Sequence, residues 1–239
     1  AAATASPATS AATDPWADQG PRELPPPKVT RPFERPFFWS ATKDGKTTYL
    51  FGTMHGGVDA EKRIPLWVWK HFDAATTLIE EANIQDIDIL RWTVRPDGPP
   101  LHEEVGSDYF AKLERVLGKM AAGLLDTQAT AVAALRMSGY GGGVRDAAGP
   151  MDGELLVRAQ GLKKKIVFLE TAAFQSKLFT DLYNAATLRR VIERYTELEP
   201  LNRQFVHAYV DGDSDRIDEL ARAGFRIGVA DDAGFEAFV

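Results

Sequence analysis

The sequence predicts an α/β fold: a mixed or mostly parallel central sheet flanked by helices, with a helical insertion. Three observations carry this. Short apolar runs at residues 47–51, 76–82 and 166–170 read as strands. Stretches with helical i, i+4 spacing separate them, and that alternation argues for at least partly parallel pairing. The composition is globular, 44% hydrophobic and 26% charged over 239 residues. A chain of that length can bury a self-sufficient core without disulfides.

Residues 1–13 contain only Ala, Thr, Ser and Pro, and eight of the 14 prolines precede Phe37. Such a stretch has little to bury and cannot offset its ordering entropy. Residues 1–30 are therefore expected to form a disordered tether, and residues 31–239 the folded domain. The segment lacks a basic n-region and an apolar h-region, so it is not an intact signal peptide. It has the character of a mature N-terminus from which a signal peptide has been removed, which predicts an exported protein, periplasmic or extracellular. A tether to a membrane anchor is one reading, and a plain flexible N-terminus is the other.

Residues 37–40 and 47–51 read as strands around a turn at residues 43–46, where Asp44-Gly45 is a short hairpin signal. Residues 52–57, Gly-Thr-Met-His-Gly-Gly, break the second strand. Pro65, followed by Leu66, Val68, Trp69 and Phe72, predicts an amphipathic helix with proline in its first turn. Residues 76–82 form a short buried-type strand. Residues 84–100 are ambiguous, with Pro96, Pro99 and Pro100 making their end a loop. Residues 107–117 are helical, with Ser107 as N-cap. Residues 124–137 form an Ala-rich helix, residues 139–143 a Gly-rich loop, and residues 152–160 a helix ending at Gly161. An apolar strand comes next at residues 166–170. Phe174, Leu178 and Leu182 open a helix that can run to Glu199, where Pro200 interrupts it. Leu201, Phe205 and Tyr209 mark another helix. Residues 213–223 form the last, with Gly224 as its stop.

Several function classes are excluded at this level. Without cysteine there is no thiolate metal site, no cysteine nucleophile and no disulfide framework. A net charge of −6 argues against nucleic acid as a partner. No apolar run is long enough to span a membrane, so any membrane contact would run through an N-terminal anchor.

Three strand ends carry unusual residues: Gly52-Thr53-Met54-His55, Glu80-Glu81, and Leu169-Glu170-Thr171. Ligands of open α/β sheets bind beyond the carboxyl ends of the strands. If the three strands are parallel neighbours, one histidine and two or three carboxylates converge on one rim. Each signal alone has a bland reading. A histidine after a strand is more often structural than catalytic, and a Glu at a strand end is favoured by the dipole of the next helix. His71, His102 and His207 read as packing or solvated residues. Residues 141–143 lack the preceding strand of a phosphate loop. Ser138 has no hydrolase elbow around it.

The residues that carry the strand ends also carry a resemblance. Phe38-Trp39, Tyr49 to His55, Pro65 and Leu78-Ile79-Glu80-Glu81 resemble the opening of the TraB/GumN family, which includes the TIKI-like metalloproteases and the pheromone-shutdown proteins of PrgY type. Its opening is an apolar strand running into G-T-x-H, with an acidic strand end about 25 residues later. Met151-Asp152, then residues 167–171 with Gln175, are similar to its D-x-x-L, L-E-T and x-x-x-Q pattern. Residues 209–213 are similar to its Y-x-x-G-D segment. The resemblance implies the α/β fold shared by erythromycin-esterase-like, ChaN-like and TIKI-like proteins. It also implies divalent-metal-dependent peptidase activity on a peptide or protein substrate, with Mn, Co or Zn as the ion. Gly52 and His55 match the G-x-x-H, with Thr53 between them. Glu81 matches the acidic position, with Glu80 as the neighbour that could replace it in register. Glu170 and Gln175 match the L-E-T block, and Asp152 the D-x-x-L. His55, Glu81 and Glu170 would hold the ion, and Glu81 or Glu170 would be the general base.

The chain departs from the family in its last third. No second G-x-x-H comes after His55, and Asn202-Arg203 reverses the family's Arg-Asn pair. The expectation is that the domain is incomplete at its C-terminus or has lost the second histidine site. The alternative to a hydrolase is a binding or interaction domain that keeps only the first half of the family's site.

Overall fold

The computed structural model describes residues 24–56, 58–83, 95, 98–138 and 150–228. Strands β1 (Phe38–Lys43) and β2 (Lys46–Phe51) form an antiparallel hairpin, with Trp39 opposite Leu50 and Lys43 opposite Lys46. Asp44 and Gly45 both adopt positive φ, 51° and 71°. That is the turn whose twist matches a two-residue hairpin, and it is why Asp-Gly stands there.

Helix α1 (Ala60–Arg63) is capped by Asp59, whose side chain accepts from the Lys62 N–H. Helix α2 (Leu66–Ala74) begins after Pro65, which serves as its N-cap. Strand β3 (Thr77–Ala82) comes next, then four helices: α3 (Leu101–Val105), α4 (Ser107–Leu117), α5 (Lys119–Asp126) and α6 (Thr130–Ser138). These are the helical insertion. Helix α7 (Met151–Gly161) leads into β4 (Lys165–Glu170), which pairs with β3 in parallel. Helices α8 (Ala172–Leu182), α9 (Ala185–Glu193), α10 (Tyr195–Asp211) and α11 (Ser214–Gly228) complete the chain.

The fold is mixed α/β with helix-flanked strands, as expected. Among the described residues the strands form two separate two-stranded sheets, one antiparallel and one parallel. The hairpin does not lie beside β3. Its Phe38 packs edge-on to Trp67 and stacks on His71, so α2 takes the place of a neighbouring strand.

Two buried clusters hold the molecule. One is all-helical and includes Leu101, Leu113, Leu125, Met137, Leu188 and Val191. The other joins the N-terminal segment and hairpin to α2, α7 and α10 through Phe33, Ile64, Val68, Met151, Leu155 and Tyr209. Burying each large aliphatic side chain contributes about 1.5–3 kcal/mol. The second cluster carries the functional site.

Several boundaries differ from expectation for local reasons. The Ala-rich stretch is two helices, broken at residues 127–129. The pattern beginning at Phe174 ends at Leu182, because Asn184 accepts from the Ala186 and Thr187 N–H groups and starts α9. Pro200 lies inside α10 and does not end it. It stands in the second turn, where the one bond it forfeits is to the first turn and costs little of the ladder. Helix α11 continues through Gly224. Residues 84–94 of the ambiguous stretch and the expected loop at residues 139–143 fall outside the described residues, as do residues 1–23 of the tether. Residues 24–30 lie against the domain: the Arg158 guanidinium donates to the Pro25 carbonyl, and the Thr30 N–H to that of Lys62. Among the described residues no helix is long and apolar enough to cross a membrane.

Candidate functional site

The site begins where β2 ends. Gly52 donates its N–H to the Phe37 carbonyl at 2.8 Å. A Cβ on Gly52 would sit 3.1 Å from the Phe37 Cβ, so glycine lets the two segments meet. The chain then turns through Thr53 and Met54 to His55. The Met54 carbonyl accepts from the Met151 N–H at 3.0 Å, which ties this loop to the start of α7. Asp152 stands in the first helical turn, where the dipole favours a negative charge.

His55 and Asp152 meet there, with Nδ1 to Oδ2 at 2.6 Å. Their side chains are 44% and 28% exposed, so the pair lies at a mouth and not in the core. The hydrogen bond to Asp152 lifts the His55 pKa above its usual 6.5. Burial opposes the lift, and the negative charges of Asp152 and Glu81 add to it. Burial pushes Asp152 the other way, but hydrogen bonds from His55 and the Thr53 hydroxyl outweigh it and hold the carboxyl below its usual range. An imidazole held this way keeps one ring tautomer and is a stronger base than a free one.

Tyr209 closes the floor. Its hydroxyl donates to the Gly52 carbonyl at 2.7 Å and lies 3.4 Å from the Met151 sulfur. Its ring stacks on Phe37 and meets Phe33 edge-on, both at 5.4 Å. Burial, and then the charge of Asp152, push the phenol pKa up, so Tyr209 stays a neutral donor.

Glu81 accepts from the Gln175 side-chain amide at 3.1 Å, which links the end of β3 to the first turn of α8. Its neighbour Glu80 points to the other sheet face. Burial and the nearby Asp152 charge push Glu80 up to about 7. Its Oε1 is buried and has no hydrogen-bond partner among the described residues.

Of the residues singled out in the sequence, the structure joins Thr53, His55 and Asp152 beyond Gly52, and it pairs Glu81 with Gln175; the Glu81 charge reaches His55 through space. Glu170 stands differently. It ends β4 opposite Ala82, on the sheet face of Glu80 and not that of Glu81. It is exposed, and no hydrogen bond or ion pair among the described residues joins it to His55. Sequence reasoning gave Asp152 and Tyr209 only a supporting place. The signal for Asp152 was its match to the D-x-x-L pattern at a helix start. Tyr209 lies 157 residues from Gly52, and its signal, the Y-x-x-G-D segment, did not reveal its bond to the Gly52 carbonyl.

A catalytic divalent ion needs about three protein ligands. Among the described residues no group of three or more His, Asp or Glu side chains converges to hold one. Asp152 is engaged on His55 Nδ1, so among the described residues His55 and Glu81 are the donors this mouth offers. The described donor set therefore falls one ligand short. The arrangement as it stands is that of a carboxylate-oriented histidine beside a second carboxylate, which can take a proton from water and return it to a leaving group.

The model of the TraB/PrgY/gumN family matches residues 37–238. No curated protein and no solved structure matches the chain.

Proposed function

The chain belongs to the TraB/PrgY/gumN family, and from that premise we propose that it is a hydrolase of amide bonds in peptides or proteins, centred on His55. The observation that carries this reading is the 2.6 Å contact between His55 Nδ1 and Asp152 at the mouth that Glu81 shares. With Nδ1–H donated to Asp152, the opposite ring nitrogen is the base. It takes a proton from water as the water oxygen bonds to the carbonyl carbon, and returns that proton to the leaving nitrogen. Asp152 offsets the imidazolium that forms in between. Glu81, steadied by Gln175, orients the water.

A second reading keeps the divalent ion, Mn or Co before Zn for an oxygen-rich set. Asp152 on Nδ1 favours it, because a carboxylate in that place fixes the ring of a metal-bound histidine. His55 and Glu81 would hold the ion, which would supply an activated water. Glu170 was the expected third ligand and lacks a contact with the pair. The shortfall in ligands puts this reading second.

Turnover of a fluorogenic peptide pool separates the readings. The expected result is cleavage in the presence of EDTA that falls at least about 100-fold in His55→Ala. Cleavage that appears only with added Mn²⁺, Co²⁺ or Zn²⁺ would transfer the function to the metal reading. No cleavage under any of these conditions would leave a binding domain that retains half a site.

A further inference from the structure

The β1–β2 hairpin has one face packed and one bare. Phe38 and Phe51 pack toward α2 and the second core cluster. The other face carries Trp39 opposite Leu50, then Ala41 opposite Thr48, then Lys43 opposite Lys46. Trp39 is 53% exposed and Leu50 67%, though they are large apolar side chains paired across two strands. Cross-strand partners on one face lie within contact distance, so the pair forms one apolar platform. Lys43 and Lys46 are exposed and make no ion pair among the described residues. They form a cationic end on a chain whose net charge is −6. Asp44 in the turn offsets part of that charge.

One end of this face adjoins residues that hold the site. Trp39 lies 6.1 Å from Phe37, ring to ring, and Phe37 stacks on Tyr209. Tyr209 bonds the Gly52 carbonyl, and Gly52 comes two residues after Leu50 on the way to His55. The apolar platform is thus the end nearer His55. The lysines lie four strand residues farther out, about 13 Å away.

We propose that this bare hairpin face is the substrate-docking surface of the His55 site, taking an extended peptide with an apolar side chain on Trp39 and Leu50 and acidic side chains at Lys43 and Lys46. The name substrate rests on the hydrolase reading; the docking does not. Charge complementarity selects the occupant. An acidic segment meets two unpaired cations here, while the rest of the acidic chain repels it. The apolar step is the Trp39–Leu50 platform, which an extended chain meets with one side chain of every two.

The test measures binding apart from turnover. His55→Ala is titrated into a fluorescein-labelled peptide with a central leucine and a pair of aspartates at each end, so that either chain direction satisfies the spacing. Anisotropy should show saturable binding that weakens about tenfold in the added Lys43→Glu/Lys46→Glu pair. Trp39→Ala should weaken it by a similar factor. All three side chains are exposed, and melting curves confirm that the variants stay folded. A peptide with lysines in place of the aspartates should bind the charge-reversed protein better than the parent. Failure of the aspartate peptide to bind, or binding that the charge exchange does not move, overturns the docking surface. So does binding to phosphatidylglycerol vesicles through Trp39 and the lysines while the peptide stays free, since the face would then serve a lipid surface. Loss of turnover in the unmutated chain with peptide binding intact would overturn the hydrolase reading alone.

Discussion

Asp152→Asn removes the charge that lifts His55 while keeping the shape of the side chain. A hydrogen bond between charged partners contributes about 1.5–3 kcal/mol when sheltered. His55 is 44% exposed and Asp152 28%, so solvent screening brings the expected loss to about 1 kcal/mol. For a domain of this size that lowers Tm by about 2–4 °C. The loss depends on pH, and the two partners set its limits. His55 has a folded pKa above its ordinary 6.5, so its contribution is complete below 6.5 and fades as pH rises through the folded value. Asp152 has a folded pKa below its ordinary 3.8, so its contribution is complete above 3.8 and fades as pH falls through the folded value. The gap between wild type and Asp152→Asn is therefore widest between pH 3.8 and 6.5 and closes on either side. Thermal melts across that range give the gap. Proton NMR of the ring Cε1–H signals gives the cause, because His55 should titrate at lower pH in the variant. A gap that is constant or widens toward alkaline pH, or a His55 titration that does not move, would refute the reasoning.

Glu80→Gln should stabilise the protein at pH 8 and leave it nearly unchanged at pH 4. The folded carboxyl sits at about 7 against an ordinary 4.5, so wild-type stability declines as pH rises between them and the amide is spared that decline. Melts at the two pH values decide, and equal effects at both would count against a protonated Glu80. Gly212→Ala should cost about 2–4 kcal/mol. Gly212 has φ of 69°, and a Cβ there would fall 2.2 Å from the Arg35 carbonyl oxygen, displacing the guanidinium that donates to the Asp211 carbonyl at 2.9 Å. Urea denaturation measures this, and an unchanged midpoint would show that the N-terminal segment does not clamp α10.

The parts of this molecule that were legible in the sequence are those set by local chemistry. Asp44-Gly45 announced its hairpin because both residues tolerate positive φ. Gly-Thr-Met-His announced a strand end, since a Cβ at Gly52 would press on the Phe37 Cβ at 3.1 Å and glycine avoids that contact. The three-carboxylate rim was not legible in the same way. Whether Glu81 and Glu170 share a face depends on the register between β3 and β4, strands more than 80 residues apart. Glu80 lies opposite Phe168, so Glu81 falls beside Leu169, and Glu170 goes to the other face. The helix break at Asn184 was hidden for another reason. An asparagine inside an apolar pattern caps a helix only when its side chain turns back to the N–H groups after it.

The site joins elements that the chain separates widely, and its parts differ in how firmly they are held. Among the links that place His55 are the Met151 N–H on Met54, Asp152 on the ring, and Tyr209 on Gly52. Two of these start from residues in the core, the Met151 backbone N–H and the Tyr209 hydroxyl, since Met151 is fully buried and Tyr209 is 5% exposed. Shifting His55 therefore means repacking the second cluster, and close-packed interiors resist that. Glu81 has no such support. It is exposed, and among the described residues a single hydrogen bond, from Gln175, steadies it. The imidazole is thus the fixed point of this mouth and Glu81 its adjustable arm. That division suits a group that must hold one proton-transfer geometry beside a group that must track a water or an ion. It also means that substitutions at Met151 or Tyr209, which touch no substrate, should disturb the His55 ring more than substitutions at Gln175 do.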